Sequence, residues 1–93
     1  MAAEEVAEHF GRNLTRLRRR VDLSQDELGL RASLHRTEIS LLERGLRLAR
    51  VDTVVKLSGA LETDPGALFD GLSWMPGGTL IGRFSLSPET GGD

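Results

Sequence analysis

The chain of 93 residues contains no cysteine. That excludes disulfides, cysteine-ligated zinc and thiol chemistry, and it fits a cytoplasmic protein. No apolar run approaches the ~20 residues of a membrane span. The N-terminus, Met1-Ala2-Ala3-Glu4-Glu5, is acidic and lacks the basic region and apolar stretch of a signal peptide. Histidine occurs twice, as His9 and His35, too few and too poorly placed for a metal site. No nucleophile–base grouping and no phosphate-cradling glycine loop accompanies the scattered carboxylates. The expectation is therefore no enzyme, no metal and no cofactor. What is present, 39% hydrophobic residues, suffices for one small core.

A net positive charge is also missing: the formal total is -2. The distribution says more than the total. Residues 12–50 carry ten arginines (12, 16, 18, 19, 20, 31, 36, 44, 47 and 50) against five acids, a balance of +5. The remainder carries Lys56 and Arg83 against nine acids, a balance of -7. Such asymmetry is a better clue to partners than the total.

Apolar periodicity gives the elements. Val6, Phe10, Leu14, Leu17 and Val21 recur at steps of three and four, which predicts a helix from about Glu4 to Arg20, with His9 on its exposed side. Ser24 and Glu27 form a capping-box pattern that opens a second helix, running to about Arg31 or Ala32. A third is expected from Arg36 to Arg44, with Ile39 and Leu42 inward and Gly45 as its stop. Val51, Val54, Val55, Leu57 and Leu61 mark a fourth, ending near Glu62. Asp64-Pro65 reads as a cap and first position for a short fifth, Gly66 to Asp70, closed by Gly71. Residues 79–86 alternate weakly, as a β-strand would, and residues 87–93 read as a frayed tail.

The stretch from Gln25 to Leu42 is the informative one. Two short helices joined by a tight turn need a small residue where they approach, and Gly29 supplies it. Four residues later the turn needs an unusual backbone conformation, at Ser33. Leu23-Ser24-Gln25-Asp26-Glu27-Leu28, then Arg36-Thr37-Glu38-Ile39-Ser40, then Leu42-Glu43-Arg44-Gly45 resembles the phage-repressor/Cro-like (XRE) helix-turn-helix family over about residues 10–70. That family typically reads L-S-Q-E-E-L, R-S-T-I-S and I-E-R-G in order. The chain departs from it at Ser33, where glycine is usual, and at His35, a poorer cap than the usual serine. It departs again at Leu41 and Leu46, which replace polar or basic residues.

The resemblance implies an all-α, five-helix, lambda-repressor-like domain; the change of composition after Gly71 bounds it at residues 1–71 and leaves a short C-terminal arm over 72–93, readable as a β-strand. It implies a homodimer on a palindromic double-stranded DNA operator, with the second motif helix in the major groove. Arg36, Thr37, Ser40 and Leu41 are the candidates for base contacts. The plainer reading of these residues is a solvated helix face. Gln25, Arg44, Arg47 and Arg50 are candidates for phosphate contacts, or else are surface residues without a partner. Arg12, Arg16, Arg19 and Arg20 are better read as a solvated face, and His35 could touch a phosphate. Glu38 is open between accepting from cytosine N4, restraining its own helix, and simple solvation. The resemblance also implies a structural ion pair between Arg18 and Glu43.

Trp74, Leu80, Ile81 and Phe84 have no place in a five-helix core. They could form a dimer arm over 72–86, pack back on their own domain, or stay unordered. The function expected is a dimeric transcriptional regulator, acting as a repressor in the cytoplasm. The alternative is a protein-interaction module, such as an antitoxin or regulatory subunit, in which DNA binding is secondary.

Overall fold

A computed structural model describes residues 2–78 and 81–87. The first helix, α1 (Ala3–Arg20), exists because Ala7, Phe10, Leu14 and Leu17 form one buried stripe. Glu4 and Glu5 lie in its first turn and Arg18 to Arg20 in its last, the arrangement that the helix dipole favours. Val21 falls beyond the last turn and is exposed, so the sequence stripe overran by one residue. Asp22, at φ 58°, then turns the chain.

Helix α2 (Gln25–Ala32) opens on the reciprocal capping pair. The Ser24 hydroxyl accepts from the Glu27 backbone N–H at 3.0 Å, and the Glu27 carboxylate accepts from the Ser24 N–H at 2.7 Å. Helix α3 (Arg36–Glu43) follows after a short break, and Gly45, at φ 71°, ends it. Helix α4 (Val51–Ala60) and a 3-10 turn (Pro65–Phe69) complete the helical body. The core gathers one face of each: Phe10, Leu14 and Leu17 from α1, Leu28 and Ala32 from α2, Ile39 and Leu42 from α3, Val54 and Leu57 from α4, and Leu68.

Four sequence expectations need correction. The expected fifth helix is a 3-10 turn, because only five residues separate Asp64 from Asp70 and Gly71 must then adopt φ 87°. Asp64 caps it with its carbonyl, which accepts from Ala67 N–H at 3.0 Å, and not with its side chain. Val51 and Val55 lie outside the core, Val51 being 83% exposed. The inward face of α4 runs through Val54, Leu57 and Ser58. Val55 lies about 100° around from it, and Val51 sits in the first turn, where nothing covers it. His9 is 6% exposed, not on the solvent side. Its Nε2 lies 2.9 Å from the Asp70 carbonyl, and Asn13 Nδ2 donates to the Leu68 and Asp70 carbonyls at 3.0 and 3.1 Å. These two polar side chains fasten the 3-10 turn to α1.

Beyond Gly71 the chain forms an antiparallel hairpin, β1 (Leu72–Met75) with β2 (Arg83–Leu86), pairing Trp74 with Phe84. The strand expected over 79–86 is thus shorter, its Thr79 and Leu80 lie outside the described residues, and its partner strand was not anticipated. The Trp74 and Phe84 rings meet edge to face at 5.1 Å.

Two glycines set the helix spacing. A Cβ at Gly11 would lie 2.5 Å from the Leu42 and Glu43 carbonyls of α3, and one at Gly29 would lie 2.6 Å from the Leu34 carbonyl. Gly59, in α4, faces open space. Gly29→Ala is therefore expected to destabilise the fold by about 1–3 kcal/mol. Gly59→Ala should stabilise it by about 0.5–1 kcal/mol, through helix propensity. Urea unfolding of the two variants checks this opposition of sign.

Candidate nucleic-acid interface

The angle between α2 and α3 is fixed by the turn. Ser33 adopts the left-handed conformation (φ 56°, ψ 44°) that the family pattern gives to glycine. For a residue with a Cβ this is a strain of about 1 kcal/mol. The Leu34 N–H donates to the Gly29 carbonyl at 2.9 Å and closes the turn. His35 then caps α3: its Nδ1 accepts from the Thr37 N–H at 3.1 Å. It does the work of the serine expected there.

With Ile39 and Leu42 in the core, α3 turns Arg36 and Thr37 outward and leaves Ser40 half-buried. These three share a shallow recess of about 230 Å³ with Gln25 from the start of α2. Leu41 is half-buried and does not line it. Arg36 lies 3.8 Å from Asp26, an exposed pair worth little and readily exchanged. Arg44, at the C-cap of α3, is exposed.

Arg47 and Arg50 stand apart from that recess, along a groove of about 380 Å³ that also includes His35, Glu38, Asp52 and Lys56. Arg47 donates to the Glu38 carboxylate, an ion pair reaching from the connector to α3 that none of the readings of Glu38 anticipated. Arg50 pairs with Asp52 at 3.2 Å. Lys56, one helical turn beyond Asp52, is a basic group at this groove that the sequence pattern did not single out.

Behind the interface lies a buried fork. Arg18 Nε and Nη2 donate to Glu43 Oε2 and Oε1 at 2.5 and 3.0 Å, and Arg18 Nη1 donates to the Leu23 carbonyl at 2.8 Å. Gln25 Nε2 donates to the same Glu43 carboxylate at 3.0 Å, so one of its amide protons faces inward. The two charged side chains are 12% and 6% exposed. Burial pushes the Glu43 carboxyl up and is the largest single influence. Hydrogen bonds from Arg18 and Gln25, with the Arg18 charge, outweigh it and hold Glu43 below the usual carboxylate range. The bond to Glu43 raises Arg18.

Among the described residues no helix is long and apolar enough to cross a membrane, and no cluster of three or more acidic or histidine side chains could hold a metal ion.

A family model described as "Helix-turn-helix" matches residues 14–68. The control protein C.BamHI of Bacillus amyloliquefaciens is 39% identical over 62 residues, covering 66% of this chain and 76% of that protein. Among solved structures, the restriction-modification controller protein C.AhdI from Aeromonas hydrophila is 35% identical with a TM-score of 0.67, covering 68% of this chain and 96% of that one. An HTH_3 family transcriptional regulator from Vibrio cholerae shares the fold, with a TM-score of 0.70 at 22% identity, covering 73% of this chain and 38% of that one.

The fork carries a pH-dependent prediction. Because the folded Glu43 carboxyl is depressed, its contribution is complete above the unfolded value, about 4.3, and is lost as pH falls through the folded value. Glu43→Gln leaves Arg18 buried against a neutral partner and should cost about 3 kcal/mol at neutral pH. Denaturant unfolding should show that difference narrowing as the pH is lowered below the carboxylate range.

Proposed function

The chain belongs to the XRE-type helix-turn-helix family of DNA-binding regulators, and from that premise we propose that it binds an operator in duplex DNA as a homodimer, with α3 in the major groove, and represses transcription. The observation that carries this reading is the recess where Arg36, Thr37 and Ser40 of α3 meet Gln25 at the start of α2. An arginine can donate two bonds to guanine O6 and N7, and a helix start can receive a phosphate. Arg44 and Arg50 are the phosphate contacts that flank it, and Arg47 joins them by exchanging Glu38 for the DNA backbone. Leu41 has the weaker case, standing at the edge of the interface for contact with a thymine methyl. The relatives include a control protein and a restriction-modification controller. We accordingly assign the regulated genes to a restriction-modification system. Such a protein works where bacterial DNA is, in the cytoplasm, and needs no catalytic group.

One helix-turn-helix unit reads only a few base pairs, so a second copy related by a two-fold axis doubles the site and makes it palindromic. We place part of the contact between copies on the arm, residues 72–86. The hairpin lies outside residues 14–68 and forms its own two-stranded sheet, and such a sheet is marginally stable alone. Trp74 is 56% exposed on it, with Met75, Ile81 and Leu86, and Arg83 is its one charged residue. A largely apolar hairpin with a single charge suits a second protein copy better than a phosphate backbone. Sedimentation of Trp74→Ser should show a weaker dimer than the parent chain; an unchanged dissociation constant contradicts this placement.

The division of labour on the DNA face is testable. Arg36→Ala should cost about 1–3 kcal/mol on the selected operator and relax its base preference. Arg44→Ala should weaken selected and random duplexes alike and reduce the salt slope by about one. Equal losses on both duplexes for both variants would refute the assignment.

A further inference from the structure

We propose that His35 fixes the hydrogen-bonding polarity of Thr37, and so restricts the base facing Thr37 to one that presents an exocyclic amino group in the major groove. The inference rests on the reading above, in which Thr37 faces a base edge.

His35 Nδ1 lies 3.1 Å from the Thr37 backbone nitrogen and 3.1 Å from Thr37 Oγ1. The backbone N–H can only donate, so Nδ1 accepts and carries no proton; the ring proton is on Nε2. A hydroxyl bonded to an unprotonated Nδ1 must donate its single proton to it. Thr37 Oγ1 is then left with lone pairs alone on its outward side. A threonine hydroxyl ordinarily pairs with either a donor or an acceptor on a base, because it rotates to suit. Here the two Thr37 protons share the one Nδ1 lone pair, which biases the rotor toward the ring and leaves the exposed oxygen mainly an acceptor.

In the major groove, adenine offers the N6 amino group and cytosine the N4 amino group. Guanine offers only N7 and O6, and thymine only O4, all acceptors. Thr37 therefore favours adenine or cytosine on the strand that it faces, and meets guanine or thymine acceptor to acceptor. Within the recess this places a fixed acceptor beside Arg36, whose guanidinium can only donate. His35 thus acts as a positioning residue: it touches no base, yet sets what its neighbour can read.

Selection of duplexes from a random pool by the full-length chain tests this, with Thr37→Val, His35→Gly and His35→Asn beside the parent. Glycine is tolerated at a helix cap and supplies no acceptor, while asparagine supplies a carbonyl that accepts both Thr37 protons. The parent should show one position per half-site where adenine and cytosine outnumber guanine and thymine by about three- to tenfold. Thr37→Val should flatten that position and so identify it. His35→Gly should admit guanine and thymine there and leave the other positions unchanged, and His35→Asn should restore the preference. Circular dichroism confirms that each variant folds.

An amino preference that survives in His35→Gly overturns the proposal, as does a Thr37→Val protein that selects the same site as the parent. In both cases a discrete selected site keeps the DNA-binding reading intact. A parent chain that enriches no sequence overturns both.

Discussion

The fork between Arg18 and Glu43 is the interaction on which the placement of the candidate interface residues depends. Glu43 closes α3, Arg18 closes α1, and Gln25, which opens α2, donates to the same carboxylate. One carboxylate therefore joins the ends of three helices. Arg18 also reaches the Leu23 carbonyl, so the link between α1 and α2 is tied to the same guanidinium. A buried pair of this kind gains little over an apolar replacement of equal shape, but removing one partner leaves an uncompensated charge. Its value here is geometric. It holds Gln25 at the edge of the recess and sets the direction in which α3 leaves the core. The close contact of α1 and α3 at Gly11 serves the same end.

On that support the turn of Ser33 and the approach at Gly29 set the crossing of α2 and α3. The consequence is a separation of roles along one short helix. Ile39 and Leu42 are spent on the core, Glu38 on Arg47, and Glu43 on Arg18, which leaves Arg36, Thr37 and Ser40 for a ligand. The chain's +5 central segment contains every residue of this face. Its acidic balance lies in the flanks, which contribute the N-terminal turn of α1 and the surface around the 3-10 turn. The weakly negative total thus averages over a basic central segment, whose excess lies mostly in residues 12–20 of α1, and acidic flanks.

Features set by short-range rules were legible in the sequence. The stripe of α1, the Ser24–Glu27 capping box, the small residue at Gly29 and the stop at Gly45 each follow from spacing within one element, and apart from Val21 at the end of the stripe each is where the pattern puts it. What escaped depends on distant partners. His9 reads as a solvated helix residue until Asp70 is brought against it, 61 positions later. Leu72–Met75 has no strand signature of its own and becomes β1 only by pairing with Arg83–Leu86. Val51 and Val55 looked like core because valine at helical spacing carries no label for which side is covered. At the interface the residue types of α3 were legible, but their engagements were not: Arg47 with Glu38, Gln25 with Glu43, and His35 with Thr37 all cross between elements or fold back at a cap.

The central claim is that one face, built from the start of α2, the outer side of α3 and the connector to α4, meets duplex DNA. Titrating the isotope-labelled protein with its selected duplex and following the backbone amide resonances tests this most directly. The account predicts that the largest changes fall on residues 24–26, 35–41 and 44–52, with the outer side of α1 and the hairpin little affected. Changes concentrated on the hairpin or on α1, with α3 silent, would contradict it.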